Sequence, residues 1–303
     1  RINFMNGFLL VDKPSGVSSA QCVYKIRSIL SKKKVGHCGT LDPLATGILP
    51  ICVGEATKFS KYISDQSKRY EVKILFGLET DTGDITGKEV SLGTLLFSIK
   101  KLEQVLNSFI GEQEQIPPMF SAIKREGRPL YYWARKGVFL KRKPKLISIN
   151  EIELKSIISH QEVIIEVACS KGTYIRALVE AIGRELGTYA TVLELRRTQI
   201  GYLKEDNLIK LISKDKKTYV DAMVDSDQLL KHFPKLVLKK TEAKKIRNGQ
   251  QVDYNARQEK EGIVRLYEKE GSFIGIGSID SSMKVSPRRL INTSKCSASS
   301  SNK

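Results

Sequence analysis

The chain has 303 residues, which is enough for about two domains. Its 51 lysines and arginines outnumber 33 acidic residues, giving a net charge of +18. This excess favours a polyanionic partner, either nucleic acid or an anionic membrane surface, although a generally lysine-rich proteome would also produce it. No apolar run approaches the roughly 18 residues of a membrane span, so we expect no membrane insertion.

The cysteines and histidines indicate no metal site. The five cysteines form no CxxC pair, and the three histidines lie far apart. This pattern argues against structural zinc and a disulfide framework, and it favours a reducing cytoplasm. We therefore expect a cytoplasmic protein that needs no metal.

The first third of the chain predicts a helix, a glycine-rich loop and a strand. Residues 18–30 place their apolar side chains on one face, with Ser18 or Ser19 as the cap. Residues 36–57 form a loop that runs into an apolar strand, and residues 70–76 alternate as a half-buried strand does. The turn-rich stretch 77–87 precedes a predicted helix at 98–109. Leu92 stands where a calcium loop needs its bidentate glutamate.

A basic insertion is predicted at about residues 115–145. Residues 124–145 carry nine basic side chains and one acidic one, with Tyr131, Tyr132 and Trp133 among them. Basic and aromatic side chains together suit contact with phosphates and bases. The alternative is a charged surface helix, with Pro129 at its start and Gly137 at its end, whose aromatic residues pack inward.

The rest of the chain predicts the end of a first domain and a small second one. Residues 163–168 read as a strand and residues 173–186 as a helix capped by Thr173. From about residue 233 the pattern resets to a short helix at 241–248 and strands at 262–267 and 272–279. We expect a first domain at 1–230, a second at 231–292 and a disordered, serine-rich tail at 293–303.

Two short stretches carry the candidate chemistry. In the loop GHCGTLDPLATG, Pro43 favours an extended Asp42, and glycines permit tight turns around it. Such a loop presents a carboxylate rigidly, as a nucleophile or base requires, although Asp-Pro alone is also an ordinary turn starter. In KGTYIR, Arg176 lies in the first turn of a helix, where a nearby anion would offset its unfavourable position. The alternative is a solvated arginine.

These stretches belong to an ordered set of motifs that resembles the pseudouridine synthases of the TruB type. The set covers about residues 7–291, and its C-terminal part resembles the PUA-type RNA-binding domain. The motifs are Asp12-Lys13-Pro14-Ser15-Gly16, the loop around Asp42, Lys68-Arg69-Tyr70, the insertion start PPMFSAIK, KGTYIR, Leu195-Arg196-Arg197-Thr198 and the terminal KVSPRR. Cys38 departs from the expected small polar residue, and this difference should leave activity intact.

The resemblance implies a role for each matching residue. Asp42 is the catalytic carboxylate, acting as nucleophile or base, and Arg176 pairs with it. Tyr70 stacks on the target base and helps remove the C5 proton, while Leu195 supplies an apolar wall. The remaining residues implied in substrate binding are His37, which contacts the RNA loop, together with Lys13, Pro14, Tyr174, Asp84 and Lys124.

We therefore expect an α+β pseudouridine synthase fold. It has a central mixed, mostly antiparallel sheet, the basic insertion and a small β-rich PUA-like domain. The expected activity is conversion of uridine to pseudouridine at position 55, in the T loop of tRNA, by a monomer that needs no cofactor, no guide RNA and no protein partner. The alternatives are a guide-RNA-dependent synthase of the dyskerin type and a non-catalytic tRNA-binding or folding chaperone.

Overall fold

The computed structural model describes residues 5–212, 215–254 and 261–292, so the predicted tail lies outside the described residues. The helices are α1 (Ser19–Leu30), α2 (Ser60–Ser64), α3 (Ile99–Ser108), α4 (Leu130–Ala134), α5 (Ile175–Glu185), α6 (Lys216–Asp221) and α7 (Lys240–Arg247). The strands of the first 212 residues are β1 (Gly7–Lys13), β2 (Val35–His37), β3 (Thr46–Val53), β4 (Lys68–Phe76), β5 (Leu78–Thr80), β6 (Glu89–Leu92), β7 (Gly111–Gln115), β8 (Lys124–Arg125), β9 (Arg128–Pro129), β10 (Lys145–Ile157), β11 (Glu162–Cys169), β12 (Ala190–Ile200), β13 (Leu203–Lys204) and β14 (Ile209–Lys210). The later strands are β15 (Lys235–Leu238), β16 (Val252–Asp253), β17 (Gly262–Glu268), β18 (Phe273–Ile279) and β19 (Lys284–Leu290).

A ten-stranded sheet forms the main body. Its order is β14-β1-β3-β12-β4-β11-β10-β7, with β2 beside β3 and β13 beside β12. Two pairs are parallel, β1 with β14 and β3 with β12, and the other pairs are antiparallel. The predicted α+β class with a mixed, mostly antiparallel central sheet is therefore confirmed.

Strand β4 shows why the centre of this sheet forms. Tyr70, Val72, Ile74 and Phe76 are buried, whereas Glu71 is exposed and Lys73 is half-buried. This alternation puts one face of the strand into the main core, where apolar burial contributes about 25 cal/mol per Å². Neighbouring β12 pairs with β4 and continues the same face, so the two strands form one rigid surface at the centre of the sheet.

The four helices predicted outside the insertion correspond to α1, α3, α5 and α7, with one correction. In α1, Ser18 caps the helix and forms a capping box with Gln21, while Cys22, Val23, Ile26 and Leu30 are buried. Helix α5 does not begin at a Thr173 cap. Its N-cap is Tyr174, whereas the Thr173 hydroxyl donates to the Ser170 carbonyl. No described helix is long and apolar enough to cross a membrane.

The insertion lies between edge strand β7 and its neighbour β10. It contains the two-residue strands β8 and β9 and the five-residue helix α4, which follows Pro129 directly. The helix ends at Ala134, three residues before the predicted stop at Gly137. Leu130 is its one buried residue, so the segment has little core of its own.

A five-stranded sheet, in the order β15-β17-β18-β19-β16, occupies the C-terminal part with α7 packed on it. The predicted helix and the two predicted strands are present within one or two residues of their expected bounds. Ile276 of this sheet also shares an apolar cluster with Phe8, Phe59 and Leu230 of the preceding chain. The domain division at residue 230 stays a prediction.

Glu55 adds a polar tie at this junction. Its carboxylate pairs with Lys58 at 2.6 Å and accepts from the Asn292 backbone N–H at 3.1 Å. Lys58 also donates to the Leu290 carbonyl at 2.7 Å. Partial burial raises the pKa of Glu55, but the hydrogen bonds from Lys58 and Asn292 outweigh it and bring the pKa to about 2.

We expect Glu55→Gln to lower the free energy of unfolding at pH 7 by on the order of 2 kcal/mol, because the amide loses this ionic tie. A carboxyl whose folded pKa is depressed stabilises the fold above its ordinary pKa and loses that effect as the pH falls towards the folded value. The gap to wild type should therefore shrink between about pH 4.5 and pH 2. Urea unfolding at pH 7 and pH 3 measures it, with exposed Glu270→Gln as the control. An equal gap at both pH values would contradict this assignment.

Candidate active site

The loop between β2 and β3 carries Asp42, and several hydrogen bonds fix its backbone. The Ser19 side chain bonds both to the Leu41 N–H, at 2.8 Å, and to the Leu41 carbonyl, at 3.0 Å. The Pro43 carbonyl accepts from the Gly16 N–H at 2.8 Å and from Lys13 Nζ at 3.1 Å. Asp42 is thus held on both sides along the chain, while about a third of its own side chain, 32%, remains exposed.

Arg197 braces the same loop from below. The residue is 1% exposed, and its guanidinium donates to the carbonyls of Ile48, at 2.7 and 2.9 Å, Gly39, at 3.2 Å, and Thr40, at 3.4 Å. These carbonyls lie near both ends of the loop, so this one side chain holds the two ends of the loop together. Arg197 belongs to one of the family motifs, but no role was predicted for it. The sequence offered one signal for such a role: Arg197 lies two residues after Leu195 in a strand, so both side chains are expected on the same face of the sheet.

Asp42 and Arg176 form the central ion pair. Arg176 Nε donates to Asp42 Oδ2 at 2.8 Å. The other guanidinium nitrogens donate to the carbonyls of Thr82, at 2.5 Å, and Phe120, at 2.8 Å. The arginine is the second residue of α5, where the carboxylate offsets its unfavourable position in the helix dipole. These fixed partners leave the guanidinium one orientation, which in turn aims the carboxylate.

Asp84 lies behind this pair and not on the open face of the cleft. It is 5% exposed, and its carboxylate accepts from Thr82 Oγ1 at 3.0 Å and from the Thr86 N–H at 3.1 Å. Its other oxygen is 3.8 Å from Arg176 Nε. Because its carboxylate accepts hydrogen bonds from protein groups, we propose that Asp84 positions Arg176, and its predicted role in substrate binding stays a prediction.

A cleft of about 330 Å³ opens beside Asp42. Of the predicted site residues, it brings together Asp42, Tyr70, Tyr174 and Leu195 in its lining. Residues with no role predicted from the sequence also line it, notably Lys68, Ser121 and Arg197. The resulting space has a carboxylate on one side and an aromatic and an apolar side chain on its floor, which suits a planar base.

Tyr70 and Tyr174 are held in the cleft by different contacts. Burial raises the pKa of Tyr70, partly opposed by the nearby charge of Arg197 and a hydrogen bond to it. Tyr174 is held through its backbone: its N–H donates to Gln115 Oε1 at 2.8 Å, and its carbonyl accepts from Gln115 Nε2 at 3.0 Å. Gln115 ends β7, so a side chain 59 residues away supplies the cap that α5 lacks locally.

Lys13 is fully buried beneath the loop. Its ammonium donates to the carbonyls of Pro14, Val17 and Pro43, and burial lowers its pKa to about 8. Because all three donors are used within the protein, we propose that Lys13 positions the loop and does not contact substrate. Pro14 is exposed beside it and lies outside the cleft lining.

His37 and Lys124 also lie outside the lining. His37 ends β2 half-buried, and burial lowers its pKa; its Nδ1 is buried without a hydrogen-bond partner among the described residues. Lys124 is exposed in the insertion. Both positions suit contact with RNA outside the cleft, and their predicted roles stay predictions.

The cysteines and the nearest carboxylate cluster lie apart from this chemistry. Cys22, Cys38, Cys52 and Cys169 are buried and free, and Cys296 lies outside the described residues. Cys38 faces an apolar cluster with Cys52, and the contact between the two thiols, together with burial, raises its pKa. Glu151, Glu153 and Glu166 lie close together, but Arg69 pairs with two of them at 2.6 Å, forming an ion-pair network.

Comparison with known proteins assigns both parts of the chain to the same family. Residues 27–175 match the family described as "TruB family pseudouridylate synthase (N terminal domain)", and residues 234–291 match "Pseudouridine synthase II TruB, C-terminal". The chain is 41% identical to a protein of Stutzerimonas stutzeri named tRNA pseudouridine synthase B, covering 95% of this chain and 96% of that one. It is 40% identical to the Pseudomonas aeruginosa protein of that name, covering 95% and 96%.

Solved structures share the fold. One, described as an H/ACA ribonucleoprotein bound to a substrate RNA containing 2′-deoxyuridine, has a TM-score of 0.72 at 23% identity, covering 95% of this chain and 86% of that one. Another, a Cbf5-Nop10-Gar1 complex, has a TM-score of 0.69 at 25% identity, covering 94% and 83%. The family models, the relatives that match 95% of the chain, the fold and the ordered motifs all agree. This chain therefore belongs to the TruB family of pseudouridylate synthases.

Proposed function

We propose that this protein isomerises uridine to pseudouridine in tRNA, with the T-loop uridine that convention numbers 55 as its favoured substrate. The observation that carries the proposal is the Asp42 carboxylate, fixed by Arg176 at 2.8 Å and facing a cleft floored by Tyr70 and Leu195. The names of the curated relatives support tRNA as the substrate. The net charge of +18 supports a polyanionic one.

The chemistry needs few groups. The uracil leaves C1′ through N1, turns within the cleft and bonds to C1′ again through C5, which then loses its proton while N1 gains one. Asp42 either bonds to the ribose or removes a ribose proton while the N-glycosidic bond breaks. In this proposal Tyr70 stacks on the base and helps to remove the C5 proton. No atom is gained and no electron is transferred, so these side chains suffice.

The target base must first leave its RNA loop, at a cost of a few kcal/mol. Contacts far from the reacting atoms can offset this cost, and the insertion is well placed to make them. Lys124, Arg125, Lys141 and Lys143 are exposed, and Arg128 and Lys136 lie over the Tyr132 ring at 5.3 and 4.7 Å. Tyr131 is 42% exposed. These cations and rings present a surface for phosphates and unstacked bases.

We also propose that the protein acts without guide RNA, as a monomer in the cytoplasm. Purified protein with a tRNA transcript carrying 5-tritiated uridine provides the test, because bonding through C5 must expel the tritium. We expect release stoichiometric with the target uridine when no other RNA is present. Release only after a guide RNA is added would favour the dyskerin-type alternative, and gel filtration would show the oligomeric state.

Asp42→Asn should abolish tritium release while changing tRNA affinity by no more than about threefold, or roughly 0.7 kcal/mol. An amide still accepts the hydrogen bond from Arg176, so the loop is retained, but it can act neither as nucleophile nor as base. The control is Asp206→Asn, at an exposed turn. Release near the wild-type rate would remove Asp42 from the mechanism, and tRNA binding without turnover in wild type would favour the chaperone alternative.

Replacing Lys124, Arg125, Lys141 and Lys143 with glutamine should flatten the salt dependence of tRNA binding. The expected change is about 0.7 to 0.9 log units per lost phosphate contact. The rate at saturating tRNA and low salt should fall less, because the cleft is unchanged. Exposed Lys100 and Lys101 of α3, changed to glutamine, provide a control with half the change in net charge. An unchanged slope would mean that the insertion is only a solvated, charged surface.

A further inference from the structure

Two cations, Lys68 and Arg197, form part of the cleft floor. In the antiparallel register of β4 and β12, Arg197 lies opposite Tyr70 and Lys68 lies opposite Ile200. Side chains two apart in a strand share a face, so Lys68 accompanies Tyr70, and Arg197 accompanies Leu195. All four line the cleft. One half of the floor is therefore aromatic and apolar, and the other half is cationic.

Neither cation has a carboxylate within ion-pair distance in the described part of the chain. Lys68 is 7% exposed, and its ammonium donates to the carbonyls of Ser64 and Gln66, both at 2.5 Å. Arg197 is 1% exposed, and its guanidinium donates to backbone carbonyls of the Asp42 loop. Asp65, which lies close to Lys68 along the chain, is paired with Lys171 at 3.1 Å.

The cations on the other face of the same strands are paired. Arg69 bonds to Glu151 and Glu166, Lys73 to Glu162, and Arg196 to Asp12 and Glu205. The contrast matters because a buried charge without a counter-charge is costly, even when its hydrogen bonds are satisfied. Among the described residues that line this cleft, the one carboxylate, Asp42, is paired with Arg176, so the two buried cations are left for an anion that enters the cleft with the substrate.

We propose that Lys68 and Arg197 stabilise the uracil anion that forms when the N-glycosidic bond breaks. This inference rests on the proposed function. As C1′–N1 breaks, its electron pair leaves with the base, and the charge spreads over N1, O2 and O4. Asp42 meanwhile bonds to C1′ or takes the ribose C2′ proton. When C5 bonds to C1′, the Asp42–C1′ bond breaks, or C2′ takes back the proton that Asp42 removed. The C5 proton then leaves and N1 takes up a proton, so the base is neutral and atoms and electrons balance.

The shape and depth of the floor favour this anion over a phosphate. A planar base can rest on Tyr70 and Leu195 while its oxygens point towards the cationic half. Phosphates are tetrahedral and follow the outside of the RNA, whereas these two side chains are almost completely buried. Fixed charges in a site closed to water also act far more strongly on a developing charge than solvated ones do.

The test compares uridine with 5-fluorouridine at the target position of the tRNA. Fluorine withdraws electrons and makes the departing base a more stable anion, so cleavage should depend less on the enzyme's cations. We expect Lys68→Met to slow single-turnover loss of the N-glycoside about 10- to 100-fold for uridine and several-fold less for 5-fluorouridine. Lys68→Arg, which keeps the charge, should stay within about threefold of wild type, and exposed Lys101→Met should match wild type.

Both rates are measured on the same preparation, so a partly folded variant changes them equally and their ratio remains informative. Arg197→Gln supplies a second variant with the same expected ratio. Equal losses for the two bases would overturn the inference and leave Arg197 as a brace of the loop. A loss in affinity with an unchanged saturating rate would also overturn it, in favour of a phosphate contact. If wild type forms no pseudouridine at all, the proposed function fails instead.

Discussion

The contact between Asp42 and Arg176 is the constraint around which the site is organised. Asp42 comes from a loop at one end of β3, Arg176 from the first turn of α5, and the remaining donors of Arg176 bond to the Thr82 and Phe120 carbonyls. Four separate segments therefore meet at one guanidinium. An arginine suits this position because its planar fork directs several hydrogen bonds at once, which a lysine cannot do.

The rest of the catalytic half can be understood as support for that contact. Ser19, Lys13 and Arg197 fix the loop through its carbonyls and N–H groups, and Gln115 fixes the start of α5 through Tyr174. Each bond is modest, typically about 1 kcal/mol. Together they allow the carboxylate no second orientation, and a reacting group displaced by about 1 Å can lose roughly a hundredfold in rate.

Local patterns predicted much of this from sequence, and distant partners account for what they missed. The alternation in β4, the Ser18 cap and the C-terminal strands follow rules that act over a few residues. The cap of α5 was assigned to Thr173 because nothing nearby signals Gln115. The buried position of Asp84 beside Arg176 also depends on a contact far along the chain, and its predicted role in substrate binding stays a prediction. The parallel pairing of β3 with β12 joins residues about 150 apart, and no local pattern encodes it.

Phe120 lies in the first part of the insertion, between β7 and β8, yet its carbonyl accepts a hydrogen bond from Arg176, the arginine that orients Asp42. The insertion and the ion pair are therefore thermodynamically linked. If RNA binding fixes the first part of the insertion in this position, it also stabilises Arg176 in its present orientation. By linkage, the oriented Arg176 favours the position of the insertion that binds RNA, by the same free energy. Weakening either contact should consequently loosen the other, even though neither Phe120 nor Arg176 lines the space for the base.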